Sequence, residues 1–156
     1  LKHIAFIYGQ FESVTAIEDR FNGYRNALVE NGIPFRQELV IDTEPSFDSG
    51  AKAVQKLLDS NIQFDGIFAS NDLIALSCIQ QLDLRGLRIP TDVSVMGYDR
   101  IPFSQMRYPK LSTVDSKLTV LGQEAVKAVI ELIRSKSGSR SEIIIQPSLV
   151  LGGTTL

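Results

Sequence analysis

The sequence predicts an α/β fold in which a mostly parallel sheet is flanked by helices. Short apolar runs typical of buried strands alternate with stretches whose apolar residues recur at helical spacing. Two of the runs, 66–69 and 93–97, break abruptly into small and acidic polar residues. In a parallel sheet covered by helices, such breaks fall at the carboxyl ends of strands, where open α/β folds bind their ligands.

In the first half of the chain, the sequence predicts three strands with a helix between each consecutive pair. Apolar residues at helical spacing predict a helix from about Thr15 to Glu30. The pair Asn31-Gly32 ends this helix, since both residue types tolerate positive φ. The remaining elements of this half are strands at 3–8, 39–41 and 66–69, and a helix that Ser46 caps and that runs to about residue 60.

The second half continues the alternation and then changes character. A helix capped by Ser70 or Asn71 is predicted from Asp72 to about Leu84, and Gly86 ends it. A strand follows at 93–97. Residues 99–116 form a long irregular stretch with a short apolar piece near its end, and loops of this length are usually functional or cross between lobes. The last elements predicted are an amphipathic helix at 118–135 and strands at 142–146 and 149–151.

Two predicted strand ends, one crossover apart, aim Asn71, Asp72 and Asp99 at the same crevice. These side chains suit a small ligand that forms hydrogen bonds. Other interpretations stay open at this point. Asn71 and Asp72 are also good helix caps, and Asp99 could fix the turn before Pro102.

Composition excludes several classes of function. A net charge of −2 gives no general attraction to nucleic acid or to anionic lipid. The single cysteine, Cys78, lies in an apolar helical setting typical of a small core residue. Nucleotide-binding glycine loops, nucleophile elbows and metal-ligand spacings are absent from the sequence, so only Asp72 and Asp99 could carry catalysis. We therefore expect no enzyme and no cofactor. No apolar run approaches the ~18 residues that a membrane span needs.

Five segments, in order along the chain, resemble the effector-binding core of lactose-repressor-type (LacI/GalR) transcriptional regulators. The resemblance implies a periplasmic-binding-protein-like lobe, built as a Rossmann-like three-layer sandwich, that senses a sugar, a sugar phosphate or a purine. Each segment alone is weakly specific, whereas five in the family's order are a strong signal. The segments are Arg20 to Tyr24, Phe68 to Asp72, Met96 to Pro102, Pro109 to Val114 and Gln146 to Thr155.

The resemblance assigns effector contacts to individual positions. Arg20 matches an effector-contacting arginine on the first helix, Asn71 an asparagine at the end of the third strand, and Asp99 an aspartate after the fourth. A guanidinium offers planar donors, and a carboxylate accepts from vicinal hydroxyl groups. Arg20 could equally be a solvated surface charge.

Four further residues are candidates for the same site. Ser116 falls where some members place a polar contact, and Asp72 either bonds the effector or caps its helix. Phe47 could stack on the ligand, although a core position is the alternative. Tyr8, at the end of the first strand, either lines the crevice or packs in the core.

The resemblance also implies how the chain is organised. Residues 1–115 would form the second lobe of the core, 116–136 a crossover helix belonging to a first lobe, and 137–156 strands returning to the second lobe. We therefore expect an exposed apolar face on that helix. The first lobe and the DNA-binding head would lie outside this chain, so operator DNA is a partner only through the head.

The same resemblance implies a cytoplasmic homodimer that contacts a neighbouring chain through Leu73 and Leu76, unless their helix is simply buried on two sides. One alternative function stays open, namely a periplasmic-type sugar-binding lobe of a transport system. A helix-turn-helix or a signal sequence encoded upstream of Leu1 would separate the two.

Overall fold

The computed structural model describes residues 1–9, 14–44, 48–135 and 142–156. These residues adopt the α/β fold that the sequence predicts. Short 3-10 turns precede the second strand and follow the fourth. The elements are β1 (Ile4–Gly9), α1 (Val14–Glu30), β2 (Val40–Thr43), α2 (Ser49–Asp59), β3 (Gly66–Ala69), α3 (Asp72–Leu84), β4 (Ser94–Tyr98), β5 (Ser112–Asp115), α4 (Leu118–Ser135) and β6 (Ser148–Val150).

The six strands form one sheet in the order β2-β1-β3-β4-β5-β6. Strands β1 to β5 are parallel, whereas β6 runs antiparallel to β5. The carboxyl ends of β1 to β5 therefore meet at one edge, which we call the C-terminal rim. The chain leaves β1 for β2 on one side and returns to β3 on the other. The gap between β1 and β3 is thus the switch point where such sheets bind ligands.

Helices cover the two faces of the sheet unequally. Helices α2 and α3 pack on one face, where Val54, Leu57, Cys78 and Leu82 are fully buried. These helices approach closely because Gly50 has no Cβ, and an added Cβ would overlap the backbone of α3. Helix α1 covers β1 and its neighbours on the other face, where an aromatic cluster forms the core. That cluster contains Phe6, Tyr24 and Leu28, with Tyr8, Phe21 and Phe68 packed against them.

Helix α4 stands apart from this sandwich. Eight of its apolar side chains are between 41% and 72% exposed, which confirms the exposed face expected for this helix. A helix at this exposure gains little stability from the rest of the described chain. The exposed residues are Leu118, Val120, Leu121, Val126, Val129, Ile130, Leu132 and Ile133.

Most predicted elements are confirmed to within two residues, with one clear error. The strand expected at 142–146 is wrong, because these residues are irregular and mostly exposed, and no strand in the described part of the chain pairs with them. The apolar piece before residue 116 is a full strand, β5, which joins the sheet beside β4. Cys78 is fully buried, as expected of a core residue, and burial raises the pKa of its thiol. The predicted cap Ser46 lies outside the described residues.

Candidate functional site

Arg20 projects from α1 toward the ends of β3 and β4. Its Nη1 donates to the carbonyl oxygen of Ser70 at 2.7 Å. Its Nη2 lies 3.9 Å from Oδ1 of Asp99, and its guanidinium carbon lies 4.0 Å from the centre of the Tyr98 ring. Cation–π stacking and a half-buried ion pair together fix the orientation of the guanidinium. Arg20 is therefore held at the C-terminal rim rather than solvated on the helix surface.

Asn71 follows β3 at the switch point and caps α3. Its Oδ1 accepts from the backbone N–H of Ile74 at 2.9 Å, the geometry of an N-cap. Asn71 is half-buried. Ser70, directly before it, accepts from Arg20 through its backbone carbonyl. The capping interpretation of Asn71 is thus confirmed, and its place at the rim is compatible with a second role toward a ligand.

Asp99 ends the run of β4 with an unusual backbone. Its φ is +99°, a region that Asn, Asp and Gly tolerate better than other residues. Its backbone N–H donates to the carbonyl of Val114 at 2.9 Å, which ties the end of β4 to β5. The side chain is 26% exposed and faces Arg20. These contacts hold a carboxylate at the rim while leaving part of it open to solvent.

Asp72 does not join this group, contrary to the prediction that it faces the same crevice. Its side chain is fully buried on the α2/α3 face of the sheet. It accepts from the Thr113 hydroxyl at 2.6 Å and from the Ile101 backbone N–H at 2.9 Å. Burial raises its pKa, against the opposing effect of these hydrogen bonds. The first residue of a helix points back toward the neighbouring strands, so Asp72 positions the loop after β4 and has no surface for a ligand.

Gly97 makes this arrangement possible. A Cβ at Gly97 would overlap the Asp72 carboxylate and press on Leu111 and Ala75. Because glycine has no Cβ, Gly97 allows the first turn of α3 to pack closely against β4.

Ser116 lies beside an ionic cluster at the start of α4. Asp115 accepts from Arg100 Nη1 at 2.9 Å, from Lys117 Nζ at 2.9 Å and from the Lys117 backbone N–H at 2.8 Å. Hydrogen bonds from Lys117, and then from Arg100, hold the pKa of Asp115 well below its usual range. The Ser116 hydroxyl is buried and has no hydrogen-bond partner among the described residues. An unpaired buried hydroxyl of this kind carries a desolvation cost that a bound polar group would relieve.

The two aromatic candidates differ in what the structure says of them. Tyr8 stacks on Phe6 with ring centroids 5.7 Å apart, so it is at least partly a packing residue. Burial, and then the negative charge of Asp42, raise the pKa of its hydroxyl. Tyr8 also lies next to the end of β1 at the switch point. Phe47 lies outside the described residues.

Leu73 and Leu76 line a groove of about 650 Å³ between α3 and the turn after β4. Leu73 is 51% exposed, and Leu84 and Phe103 in the same groove are 73% and 60% exposed. Helix α3 is therefore not buried on two sides within the described chain. Its second face carries an apolar surface open to solvent.

Sequence reasoning missed two members of the site, Ser70 and Tyr98. Ser70 contributes a backbone carbonyl, which no residue type signals. Tyr98 stands directly before Asp99 and presents its ring to Arg20, on the face opposite Gly97. Strand alternation places Tyr98 on the α1 face, so this signal was available. We call Arg20, Ser70, Asn71, Tyr98 and Asp99 the rim site.

The rim site offers hydrogen-bond donors, acceptors and an aromatic ring, and no set of metal ligands. Among the described residues, no group of three or more histidine, cysteine, aspartate or glutamate side chains is placed to hold a metal ion. No helix in the described ranges is both long enough and apolar enough to cross a membrane. The donors, acceptors and ring of the rim site fit recognition of a small polar molecule.

This fold and rim belong to a known class of ligand-binding domain. Residues 1–155 match the periplasmic binding protein-like domain, and the chain belongs to that family, whose members similar to this chain include LacI-family regulators. The curated relatives are transcriptional regulators rather than enzymes.

One relative is the HTH-type transcriptional regulator DegA of Bacillus subtilis, which is 35% identical over 98% of this chain and 45% of its own length. The chain thus spans about half the length of the curated relatives it matches. Among solved structures, a LacI family regulator of Enterococcus faecium with bound ribose has a TM-score of 0.87 at 28% identity, covering 99% of this chain and 56% of that one. The CelR–cellobiose complex also has a TM-score of 0.87 at 28% identity, covering 98% of this chain and 46% of that one.

Proposed function

We propose that this chain is the effector-binding and dimerisation part of a LacI/GalR-type DNA-binding regulator that senses a sugar, sugar phosphate or purine in the cytoplasm. The observation that carries the proposal is the convergence of Arg20 and Asp99 on the end of β3 at the switch point. The sugar-bound regulators among its structural relatives support a sugar-type effector. No catalytic residue is part of the proposal.

In this proposal the rim site is half of a binding cleft. Arg20 supplies donors, Asp99 accepts from hydroxyl groups, and Asn71 offers its amide beyond the cap. Ser116 and Tyr8 flank the same edge of the sheet, and Phe47 is a candidate stacking residue. Asp72 acts indirectly, because it holds the loop that carries Asp99 and Arg100.

The other half of the cleft would come from a first lobe to which α4 belongs. The exposure of eight apolar side chains on α4 supports this division, since a helix of that composition normally packs against a partner. Residues 1–115 then form the second lobe, 116–136 cross to the first, and 137–156 return. Two lobes closing on a ligand shift a coupled head only when the ligand binds one state better than the other.

Calorimetry tests the half-cleft proposal. Because half of the ligand contacts are missing, we expect no heat of binding when this chain, at micromolar concentration, is titrated with ribose, cellobiose, guanine or hypoxanthine. Micromolar or tighter binding by this chain alone would contradict the half-cleft. A helix-turn-helix encoded upstream of Leu1 would support the regulator, and a signal sequence there would support the alternative of a transport-system sugar-binding lobe.

We further propose that the second lobe forms a homodimer through α3. The groove with Leu73 and Leu76 is apolar, and Leu84 and Phe103 extend it. We expect Leu73→Lys to lower the sedimentation coefficient from a dimer toward a monomer value. The matched control Leu121→Lys, on α4, keeps the dimer. A wild-type chain that sediments as a monomer at about 100 μM would contradict the proposal.

A further inference from the structure

Every described cation at the C-terminal rim already faces a carboxylate. Arg20 faces Asp99 at 3.9 Å, and its Nη1 is engaged by the carbonyl of Ser70. Arg100 and Lys117 both bind Asp115. Asp42, exposed at the end of β2, adds a further negative charge close to Tyr8. The rim therefore holds as many described carboxylates as cations even before the buried Asp72 is counted, and it offers an anion no net attraction.

The helix N-terminus at the switch point is also occupied. In α/β folds the first turn of a helix after a strand commonly binds phosphate through free backbone N–H groups and the helix dipole. In α3 the N–H of Ile74 is taken by the Asn71 side chain at 2.9 Å. Asp72 places a fully buried carboxylate in the same first turn. The Asn71 amide oxygen thus takes one of the backbone N–H groups that an anionic ligand at this helix start would use.

From these two observations we propose that the rim site selects a neutral, hydroxyl-bearing effector and rejects phosphorylated or otherwise anionic ones. The inference rests on the proposed function, because it takes the rim site to be the effector site. Asp99 is the residue that determines this specificity. Its carboxylate accepts from vicinal hydroxyl groups and repels a phosphate placed beside Arg20. The proposed function allows a sugar, a sugar phosphate or a purine as effector, and the inference narrows these three classes to uncharged sugars.

Paired ligands test the charge preference directly. The isotope-labelled chain is titrated at constant ionic strength with two pairs of ligands: ribose and ribose 5-phosphate, and glucose and glucose 6-phosphate. Because a half-cleft binds weakly, ligand concentrations reach on the order of tens of millimolar. The backbone amide signals of Asn71, Tyr98 and Asp99 report binding at the rim. At least one neutral sugar is expected to shift them, with its phosphate ester binding about tenfold more weakly or not at all.

Asp99→Asn removes the negative charge while keeping a residue that tolerates the backbone at φ +99°. We expect this variant to lose the discrimination, so that inorganic phosphate and the sugar phosphates shift the rim signals, while the neutral sugar binds more weakly. The matched control is Glu30→Gln. It removes one charge at the far end of α1, away from the rim, and should leave the discrimination unchanged.

The outcomes separate the two claims. A sugar phosphate that binds the wild-type rim as well as its neutral partner, or better, would overturn the charge preference and leave the effector site standing. Rim signals that respond to none of the sugars, in the wild type or in Asp99→Asn, would overturn the preference for a hydroxyl-bearing effector, and rim signals that also ignore guanine and hypoxanthine under the same conditions would overturn the rim as the effector site. Equal loss of discrimination in Asp99→Asn and Glu30→Gln would also reject Asp99 as the residue that determines it.

Discussion

At the scale of single residues, the rim contains side chains that are open to solvent and side chains that support them from the core. Asp72 and Asp99 follow two adjacent strands and look alike in sequence, yet one is fully buried and the other is 26% exposed at its side chain. The difference follows from the backbone. Asp72 begins a helix and turns back under β4, whereas Asp99 has positive φ and turns toward Arg20.

Asp72→Ala should destabilise the chain by about 2 kcal/mol, because it removes the acceptor of the Ile101 N–H and the shorter of the two acceptors of the Thr113 hydroxyl. Urea unfolding measures the change. The control is Asp83→Ala on the same helix, where the carboxylate is 57% exposed and the cost should stay within about 0.5 kcal/mol. Equal costs for the two variants would show that Asp72 does not hold the loop after β4.

The site residues were only partly predictable from the sequence. Acidic and amide residues after strands indicated the edge of the sheet at which Arg20 and Asp99 meet, because side-chain chemistry and strand ends are both visible in a sequence. The direction of Asp72 was not predictable, since it depends on Gly97 leaving room beneath β4. The role of the Ser70 carbonyl could not be predicted for a different reason: every residue has a backbone carbonyl, so the residue type does not indicate which one accepts from Arg20.

At the scale of elements, Arg88 and Asp92 close the connection between α3 and β4. Asp92 accepts from Arg88 Nε at 2.8 Å, from Nη2 at 2.6 Å and from the backbone N–H at 2.8 Å. The side-chain hydrogen bonds from Arg88, followed by the backbone bond, lower the pKa of Asp92 from 3.8 to about 2. The bidentate pair thus fixes a five-residue loop just before the strand that leads to Asp99.

Carboxyl NMR should titrate Asp92 with a midpoint near 2. Because the folded value lies below the unfolded one, the pair stabilises the fold above pH 3.8 and loses that contribution as pH falls toward 2. Arg88→Met should raise the midpoint toward the ordinary value, although the backbone bond keeps part of the shift. Arg134→Met, at the end of α4, should leave it unchanged. An Asp92 midpoint that does not move in Arg88→Met would refute the pairing.

Helices and strands were predictable where local signals and packing agree. The Asn71 cap and Gly86 define α3, and its predicted and observed ends coincide. The apolar run at 142–146 reads as a strand in sequence, but strand formation requires a neighbour with open hydrogen-bonding groups. Only 148–150 has one, in β5. The error therefore arose from pairing, which is a non-local property.

At the scale of the whole molecule, helices α2 and α3 cover one face of the sheet, whereas the apolar face of α4 is exposed to solvent. The α2/α3 face buries a continuous apolar core, while α4 shows the same kinds of side chain to solvent. An exposed apolar helix face of this kind is typical of an interaction surface. Its amphipathic periodicity was visible in the sequence, but which surface it covers was not.

The independence of α4 from the rest of the chain predicts how substitutions on it behave. Val129 is 55% exposed on α4, whereas Val54 is fully buried on α2. Val129→Gln should change the free energy of unfolding by less than about 0.5 kcal/mol, because no packing is lost. The same substitution at Val54 should cost more than about 2 kcal/mol, since it buries an amide in the core.

Urea unfolding of both variants measures the difference, and a fluorescent dye that binds exposed apolar surface should bind Val129→Gln less than wild type. If Val129→Gln proves as costly as Val54→Gln, α4 packs onto the sandwich in solution. Its apolar face would then be satisfied within this chain, and the assignment of residues 116–136 to a first lobe would fail. A small cost at Val129 together with a large one at Val54 leaves that face available for the proposed first lobe.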